Sequence, residues 1–543
     1  MMKLSQRAPL APLALLPLLL MLSPPAAASA AAAASAAGSA ASAAGAPRPL
    51  NLVLLLLDDQ DSLLGAGLDV MPHYAQRFAA EGARFSNAFV AAPKCCPSRT
   101  SMLSGRMPHR LQEQALGWCG DFLAQARYDA TFVAPIKAQG YATALVGKFV
   151  NEMGAMCPKG GGTGVVPQGF SPADGDLFFA MCNEAYYNLT WTVNGAQRVT
   201  GDAPADYMQA VIGNATLPWL AAAAAASAAP GGRPFFAYLA PHAPHLPATP
   251  APWHLDAPLP SQAAPRPPSF GNFSRGKSWN VAQDGLTPFP PATLAGIDLH
   301  FRNRQRTLLS VDDYVRDVFA ALEAAGVLES TFVIATSDHG YHLGEFGLPF
   351  EKSTPYDTDV RVPFFVRGPG VAPGSTVAAM VSLMDVGATL LELAGAAAPG
   401  VRTTDGRSLV PLLQGGDAGA PAGWRAGGLL VEHLGEVNQW MQVCGTIWNA
   451  SCPGVDADPF YLIVGPQNTW SMLRLVNETH DISFVEFRPQ QAPLARASSN
   501  WTEAYDLVAD PWQSTNLAST LPGRADLADR LWAVATCAGD SCP

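Results

Sequence analysis

The chain has 543 residues, more than one hydrophobic core usually organises, so a large domain with a smaller companion is expected. Its 33 Lys and Arg face 44 Asp and Glu, a formal net charge of −11 that argues against nucleic acid as a partner. The same charge repels anions at long range, so any anion site has to be locally basic.

At the start of the chain, Lys3 and Arg7 precede an apolar run from Leu10 to about Leu22, followed by Pro24, Pro25 and small residues. This is the layout of a secretory signal peptide, assigned to residues 1–28. The run is shorter than the roughly 20 apolar residues of a spanning helix, and no later stretch is read as long and apolar enough, so no transmembrane anchor is expected. Residues 29–46 are rich in Ala, Ser and Gly and are read as a solvated tether.

Residues 47–397 alternate short apolar runs with helical patterns, the signature of an α/β domain with a mainly parallel sheet. Asn51 to Leu57 reads as a buried strand running directly into Asp58 and Asp59, and Tyr141 to Gly147 as a strand ending at Lys148. Phe235 to Ala240 leads into Pro241, His242 and His245, and Thr331 to Thr336 into Ser337, Asp338 and His339. Ligands of open α/β sheets sit beyond the carboxyl ends of strands, so four strands delivering polar residues there predict one shared site. Thr307 to Ala325 carries apolar residues at helical spacing and Gly326 as its stop. The Ala-rich stretch 221–229 is read as a surface helix or insertion, and Pro241 to Pro291 as a Pro-rich excursion that rims the site. Residues 398–543 are read as a smaller α+β subdomain of short strands before a final helix near Leu527 to Thr536.

Six Asn-x-Ser/Thr sequons, at Asn188, Asn214, Asn272, Asn449, Asn477 and Asn500, agree with secretion and N-glycosylation. The chain has nine cysteines, and in an oxidising compartment an odd count leaves one with another task. Setting Cys95 aside leaves eight for bridges. Connectivity is not deducible, although Cys444 with Cys452 and Cys537 with Cys542 are close enough to be natural pairs.

The strongest motif is Cys95-Cys96-Pro97-Ser98-Arg99, extended by Thr100 to Leu103 and Ser104-Gly105-Arg106. Here the chain resembles the type I sulfatases, whose C-x-P-S-R signature directs oxidation of its first cysteine to formylglycine. Further stretches carry the resemblance across most of the chain: Asp58-Asp59-Gln60-Asp61, Gly147-Lys148-Phe149, Ala243-Pro244-His245, Ser310 to Asp313, Ser337 to His342, Arg361-Val362-Pro363, and Tyr505 to Leu507 with Asp510-Pro511. The branch it resembles holds N-acetylglucosamine-6-sulfatases, extracellular heparan endosulfatases and secreted green-algal arylsulfatases. The resemblance implies an alkaline-phosphatase-like fold, a large mixed sheet flanked by helices with a four-stranded C-terminal subdomain. It also implies a secreted or periplasmic or lysosomal setting and a formylglycine-generating enzyme as maturation partner.

Oxygen ligands from Asp58, Asp59 and Asp338 suit one hard cation, most simply Ca²⁺. Two acids abutting a buried strand would repel each other without one. The resemblance adds the oxygen of residue 95 and His339 to that set. His339 stands where many sulfatases have Asn, and is read as a ligand, a substrate contact or a neighbour. Arg99 is expected to hold the formylglycine hydroxyls, one turn into a helix that starts after the nucleophile. Lys148, Lys352 and His245 match positions that contact the sulfate or its bridging oxygen, while Arg361 is read as either a site residue or an ion-pair partner. The implied mechanism has residue 95 attack sulfur as Asp338 takes its proton and His245 protonates the leaving alcohol. Some relatives place a His two residues after the Lys of the Gly-Lys motif to drive sulfate elimination. This chain has Val150 there, and His109 is the candidate base.

The substrate is read as a small aryl sulfate or a terminal sugar 6-sulfate, since the long basic segment of endosulfatases is absent. A phosphomonoesterase or phosphodiesterase of the same superfamily, and a sulfated-glycan-binding pseudoenzyme, are the alternatives.

Overall fold

The computed structural model describes residues 50–537 apart from 64–66, 112–130, 152, 154–156, 158–165, 167–169, 273–275, 278–287, 398–403, 436–467 and 490–493. The signal-peptide and tether assignments, the sequon at Asn449 and the pair Cys444 with Cys452 lie outside those residues. At the centre is strand β1 (Asn51–Leu57), whose seven residues are all buried. Its apolar run serves both faces of the sheet: Leu52, Leu54 and Leu56 enter one core cluster, Val53, Leu55 and Leu57 the other. Truncating Leu52 or Leu54 to Ala would cost about 2–5 kcal/mol.

The remaining strands are β2 (Ala83–Phe85), β3 (Ala88–Phe89), β4 (Ala142–Gly147), β5 (Leu177–Met181), β6 (Thr190–Val193), β7 (Ala196–Val199), β8 (Phe235–Ala240), β9 (Thr331–Ser337), β10 (Phe364–Arg367), β11 (Ser375–Val377), β12 (Val381–Ser382), β13 (Leu429–His433), β14 (Trp470–Val476), β15 (Asp481–Phe487) and β16 (Trp501–Asp506). The large sheet runs in the order β11-β2-β10-β9-β1-β8-β4-β5-β6-β7. Its middle, β9-β1-β8-β4-β5, is wholly parallel, and β10 and β6 flank it antiparallel. All four strands read from the sequence as feeding the site are therefore neighbours with their carboxyl ends on one edge. This large mixed sheet with flanking helices is the expected architecture.

Two helices differ from expectation. The Ala-rich stretch is helical with an exposed face, as one of its two expected forms, but the helix starts earlier, at Met208, and runs 21 residues to Ala228, burying Val211, Ile212, Leu220 and Ala224 against the sheet. It is also long and apolar enough to cross a membrane, contrary to the sequence reading, and it lays one face on the core, with 39% of its most apolar stretch buried. The helix expected from Thr307 begins at Pro291 and runs 34 residues to Ala324. Its first half was masked by Arg302, Arg304 and Arg306, yet His300, Phe301 and Arg304 are buried. The opposite face of the sheet carries the helices Cys95–Ser104, Val133–Ala138 and Asp385–Leu393 through Met102, Leu103, Val133, Ile136, Val386 and Leu390.

Strands β13-β14-β15-β16 form a separate antiparallel meander. Helix Arg524–Ala535 packs Leu527, Leu531 and Val534 on Leu430, Leu473 and Phe484. Val431, Trp470 and Met472 of this small sheet join the same core cluster as Met102 and Val386.

Candidate active site

Register explains why the acids converge. Strands β1 and β9 pair with Leu57 opposite Ser337, so Asp58 and Asp338 leave adjacent strands at the same level, and Asp338 N donates to Leu57 O at 3.1 Å. Asp58, Asp59 and Asp338 are all fully buried. Asp59 holds φ at +67°, a left-handed conformation that non-glycine residues rarely adopt and that clusters at functional sites. Its amide donates to Asp338 Oδ1 at 3.2 Å, and Arg304 Nη2 donates to its carbonyl at 2.5 Å.

On the other side of β1, β4 ends at Gly147 with φ at +106°, where a Cβ would lie 2.0 Å from Ala240 O. Glycine alone permits that approach, which lets Lys148 N donate to Ala240 O at 2.8 Å and turns the lysine inward. Lys148 Nζ reaches Asp58 Oδ2 at 2.8 Å. Lys352 Nζ reaches Asp59 Oδ1 at 2.7 Å, and both lysines are buried. Burial raises the Asp58 carboxyl, but Lys148, His245 and Arg99 outweigh it and hold the group well below the usual range.

The helix Cys95–Ser104 starts at Cys95 itself, with Lys94 providing no side-chain cap. The positive end of the helix therefore lies at residue 95, the arrangement that favours an anion. Cys95 Sγ lies 3.2 Å from His339 Nε2 and 3.8 Å from Asp58 Oδ1. Ligand atoms of Asp58, Asp59, Cys95 and His339 all fall within 4.8 Å of one another. Burial raises the Cys95 thiol, yet Lys148 and Lys352 bring it down to about 5. Among the described residues Cys95 is the free cysteine; Cys157 is bonded to Cys182, and Cys96 and Cys537 are disulfide-bonded. Arg99, one turn on, donates from Nε to Asp338 Oδ2 at 2.8 Å and from Nη1 to Lys148 O at 2.8 Å. Ser98 Oγ donates to the Asp338 carbonyl. Asp338 thus stands beside the four-ligand group with its oxygens turned onto Arg99 and onto the amides of Asp59 and His339.

His245 lies with Nε2 3.8 Å from Asp59 Oδ2 and keeps 13% of its side chain exposed. Burial lowers its pKa, but Asp59 raises it to about 9. His109 stands apart from these residues: its Nδ1 pairs with Glu432 of β13 at 2.8 Å. Arg361 spans Ser86 O and Asn87 Oδ1 and faces Asp357, an ion-pair partner rather than a member of the cluster.

Two residues had no role in the sequence reading: His242, named there only as a residue at a strand end, and Glu184, not named at all. His242 Nδ1 lies 2.6 Å from Asp58 Oδ2, and its ring stacks on His245 at 4.4 Å. Its spacing in Pro-His-Ala-Pro-His was the available signal. Glu184 lies 3.5 Å from Lys148 Nζ and 3.8 Å from His245 Nε2, and no motif marks it.

Comparison with known proteins agrees with this geometry. The sulfatase family matches residues 50–396. The human N-acetylglucosamine-6-sulfatase is 34% identical over 92% of this chain and 86% of its own length. The arylsulfatase of Volvox carteri is 29% identical over 91% of this chain and 75% of its own. Among solved structures, BT4656 in complex with its substrate D-glucosamine-2-N,6-O-disulfate superposes with a TM-score of 0.64 at 20% identity, covering 89% of this chain and 96% of that one. A phosphonate monoester hydrolase from Silicibacter pomeroyi shares the fold, with a TM-score of 0.58 at 20% identity over 88% of this chain and 93% of that one. The family match takes in every strand end that feeds the cluster around Cys95, and the chain therefore belongs to the sulfatase family and hydrolyses sulfuric esters.

Proposed function

We propose that the chain is a secreted glycoprotein that removes sulfate from the 6-oxygen of a terminal glucosamine-type sugar. Its nucleophile is a formylglycine made from Cys95, and its cofactor is one hard divalent cation, Ca²⁺. The observation that carries this reading is the setting of Cys95 Sγ: a buried thiol at a helix start, in one 4.8 Å group with two carboxylates and an imidazole. A purely structural cysteine sits among apolar side chains instead. The sugar specificity rests on relatives named N-acetylglucosamine-6-sulfatase that align over most of the chain. Secretion is supported by the five described sequon asparagines, Asn188, Asn214, Asn272, Asn477 and Asn500, all of which are exposed.

The donor set suits a cation. Asp58 and Asp59 are adjacent buried acids, and Asp59 Oδ2 is buried without a hydrogen-bond partner. Asp58, Asp59, His339 and the oxygen of residue 95 would hold the ion, with Asp338 alongside. When bound, it neutralises the paired carboxylates and polarises the oxygens of substrate and nucleophile.

The chain's own groups then divide the work. Lys148, Lys352 and the helix start attract the sulfate, and Arg99 orients a hydroxyl at position 95. Asp338 takes that hydroxyl's proton as its oxygen bonds to sulfur, and His245 protonates the bridging oxygen as the sulfur–alcohol bond breaks. Loss of the second hydroxyl's proton then expels sulfate and restores the aldehyde. His109, held by Glu432, gains no support as the base for that last step.

Cys95→Ala tests the reading. The variant is expected to fold and to lose at least about 10³-fold in sulfate release, because alanine supplies no nucleophile. Turnover near wild type contradicts it.

A further inference from the structure

The carboxylates that touch the cluster differ in one respect. Asp58, Asp59 and Asp338 are sealed from solvent, whereas Glu184 keeps 35% of its side chain exposed. Its position follows from the fold. Strand β5 pairs with β4 so that Ala180 lies opposite Gly147, and the chain leaving β5 passes beside Lys148. Three contacts fix that loop: the Cys157–Cys182 disulfide, the Tyr186 hydroxyl donating to His245 O at 2.8 Å, and Asn151 Nδ2 donating to Glu184 Oε1 at 2.5 Å.

Glu184 consequently straddles Lys148, assigned above to the sulfate, and His245, assigned to the bridging oxygen of the leaving alcohol. Its Oε1 lies 3.5 Å from Lys148 Nζ and its Oε2 lies 3.8 Å from His245 Nε2. Burial raises its pKa, but Lys148 and His245 bring it down to about 2, so it is charged at neutral pH. A fixed, hydrated carboxylate at that point does little for the sulfate being cleaved, whose charge is met by the buried lysines. It acts on what the alcohol carries next to the ester. A hydroxyl or ammonium can donate to it, whereas a second sulfate meets like charge.

We infer that Glu184 is a specificity-determining residue that favours leaving sugars with neutral or cationic neighbouring substituents and disfavours those bearing a second anionic group. This rests on the sulfatase reading above and narrows its substrate class to singly sulfated sugars.

Three probe esters test it: glucosamine-6-sulfate, N-acetylglucosamine-6-sulfate and glucosamine-2-N,6-O-disulfate. For wild type, kcat/KM is expected to fall in that order. In Glu184→Gln the spread between the first and last should shrink by about tenfold, the effect of one unit charge several ångströms away in a partly hydrated site. Glu184→Lys should reverse the preference and turn over the disulfated sugar faster than wild type does, a gain that misfolding cannot produce. Equal losses of Glu184→Gln on all three sugars, or an unchanged spread, overturn the inference. A wild type that releases sulfate from none of the three, nor from nitrophenyl sulfate, overturns the sulfatase reading itself, a result distinct from an unchanged spread.

Discussion

Lys148 and Lys277 are both buried, and their surroundings make them opposites. Lys148 has Asp58 at 2.8 Å and Glu184 at 3.5 Å, and these acids outweigh burial and push its pKa above the usual lysine value. Lys277, from the Pro-rich excursion, points its Nζ at the rings of Phe346, Tyr356 and Tyr505, 3.8, 4.1 and 4.3 Å from their centroids. It donates to Tyr505 OH at 2.9 Å and to the Gln513 carbonyl. Burial there wins over the more distant Glu503 and Asp510, and its pKa falls from 10.5 to about 7. Equal burial thus yields a permanent cation where carboxylates adjoin and a half-neutral amine where rings do. The strand-end chamber is built to hold charge, and the aromatic cage is built to hold a loop.

The largest effect is expected where one acid serves two cations. Asp58 faces the cations Lys148 and Arg99 and accepts from the buried His242 ring, so Asp58→Asn removes the charge that balances both cations. Sulfate release should fall by about 10³-fold or more, and bound metal should fall with it in elemental analysis of the purified protein. One hard cation per wild-type chain supports the charged chamber; two zinc ions would recast it as a phosphatase site.

Lys148→Met keeps the stem and deletes the charge. A loss of about 10²–10³-fold in kcat/KM is expected, the usual cost of removing one group that stabilises transition-state charge. A loss below about threefold would mean that the chamber's charge is structural, as at Lys277.

His245→Ala separates the leaving group from the sulfate. A sugar alkoxide needs a proton to depart and a nitrophenolate does not, so the variant should lose about 100-fold on a sugar 6-sulfate and far less on nitrophenyl sulfate. Equal losses on both would assign His245 to sulfate binding.

The smallest effect on turnover belongs to Lys277→Met, which should retain most activity. Its readout is stability against pH. Between about 7 and 10.5 the unfolded lysine binds a proton that the folded one does not, so wild-type stability should rise with pH across that window. The slope is at most about 1.4 kcal/mol per pH unit, and the variant should lack it. Parallel melting profiles for wild type and variant from pH 7 to 10 would show that the cage holds a charged lysine.

What the sequence made legible follows from how local each signal is. Continuous apolar runs into acids, as at Leu57-Asp58 and Thr336 to Asp338, mark buried strands and their carboxyl ends without help from the rest of the chain. The start and the buried face of Met208–Ala228 and the first half of Pro291–Ala324 were missed because alanines and arginines there look solvated. Tertiary packing decides otherwise, burying Ala224 against the sheet and tying Arg304 to Asp59 O. Lys352 was found only by resemblance, since 293 residues separate it from Asp59. Glu184 was missed because its place depends on strand pairing and a disulfide, and neither is written in the residues around it. His109 is the converse case, a plausible base in sequence that the fold hands to Glu432.

Catalysis turns on the chemical state of residue 95, and mass spectrometry of the reduced and alkylated tryptic peptide Cys95–Arg99 reads that state directly. The expected result is an aldehyde in place of the first thiol, captured by a hydrazide reagent, with Cys96 alone alkylated. A peptide from fully active enzyme that carries two alkylated cysteines and no aldehyde would contradict the formylglycine mechanism.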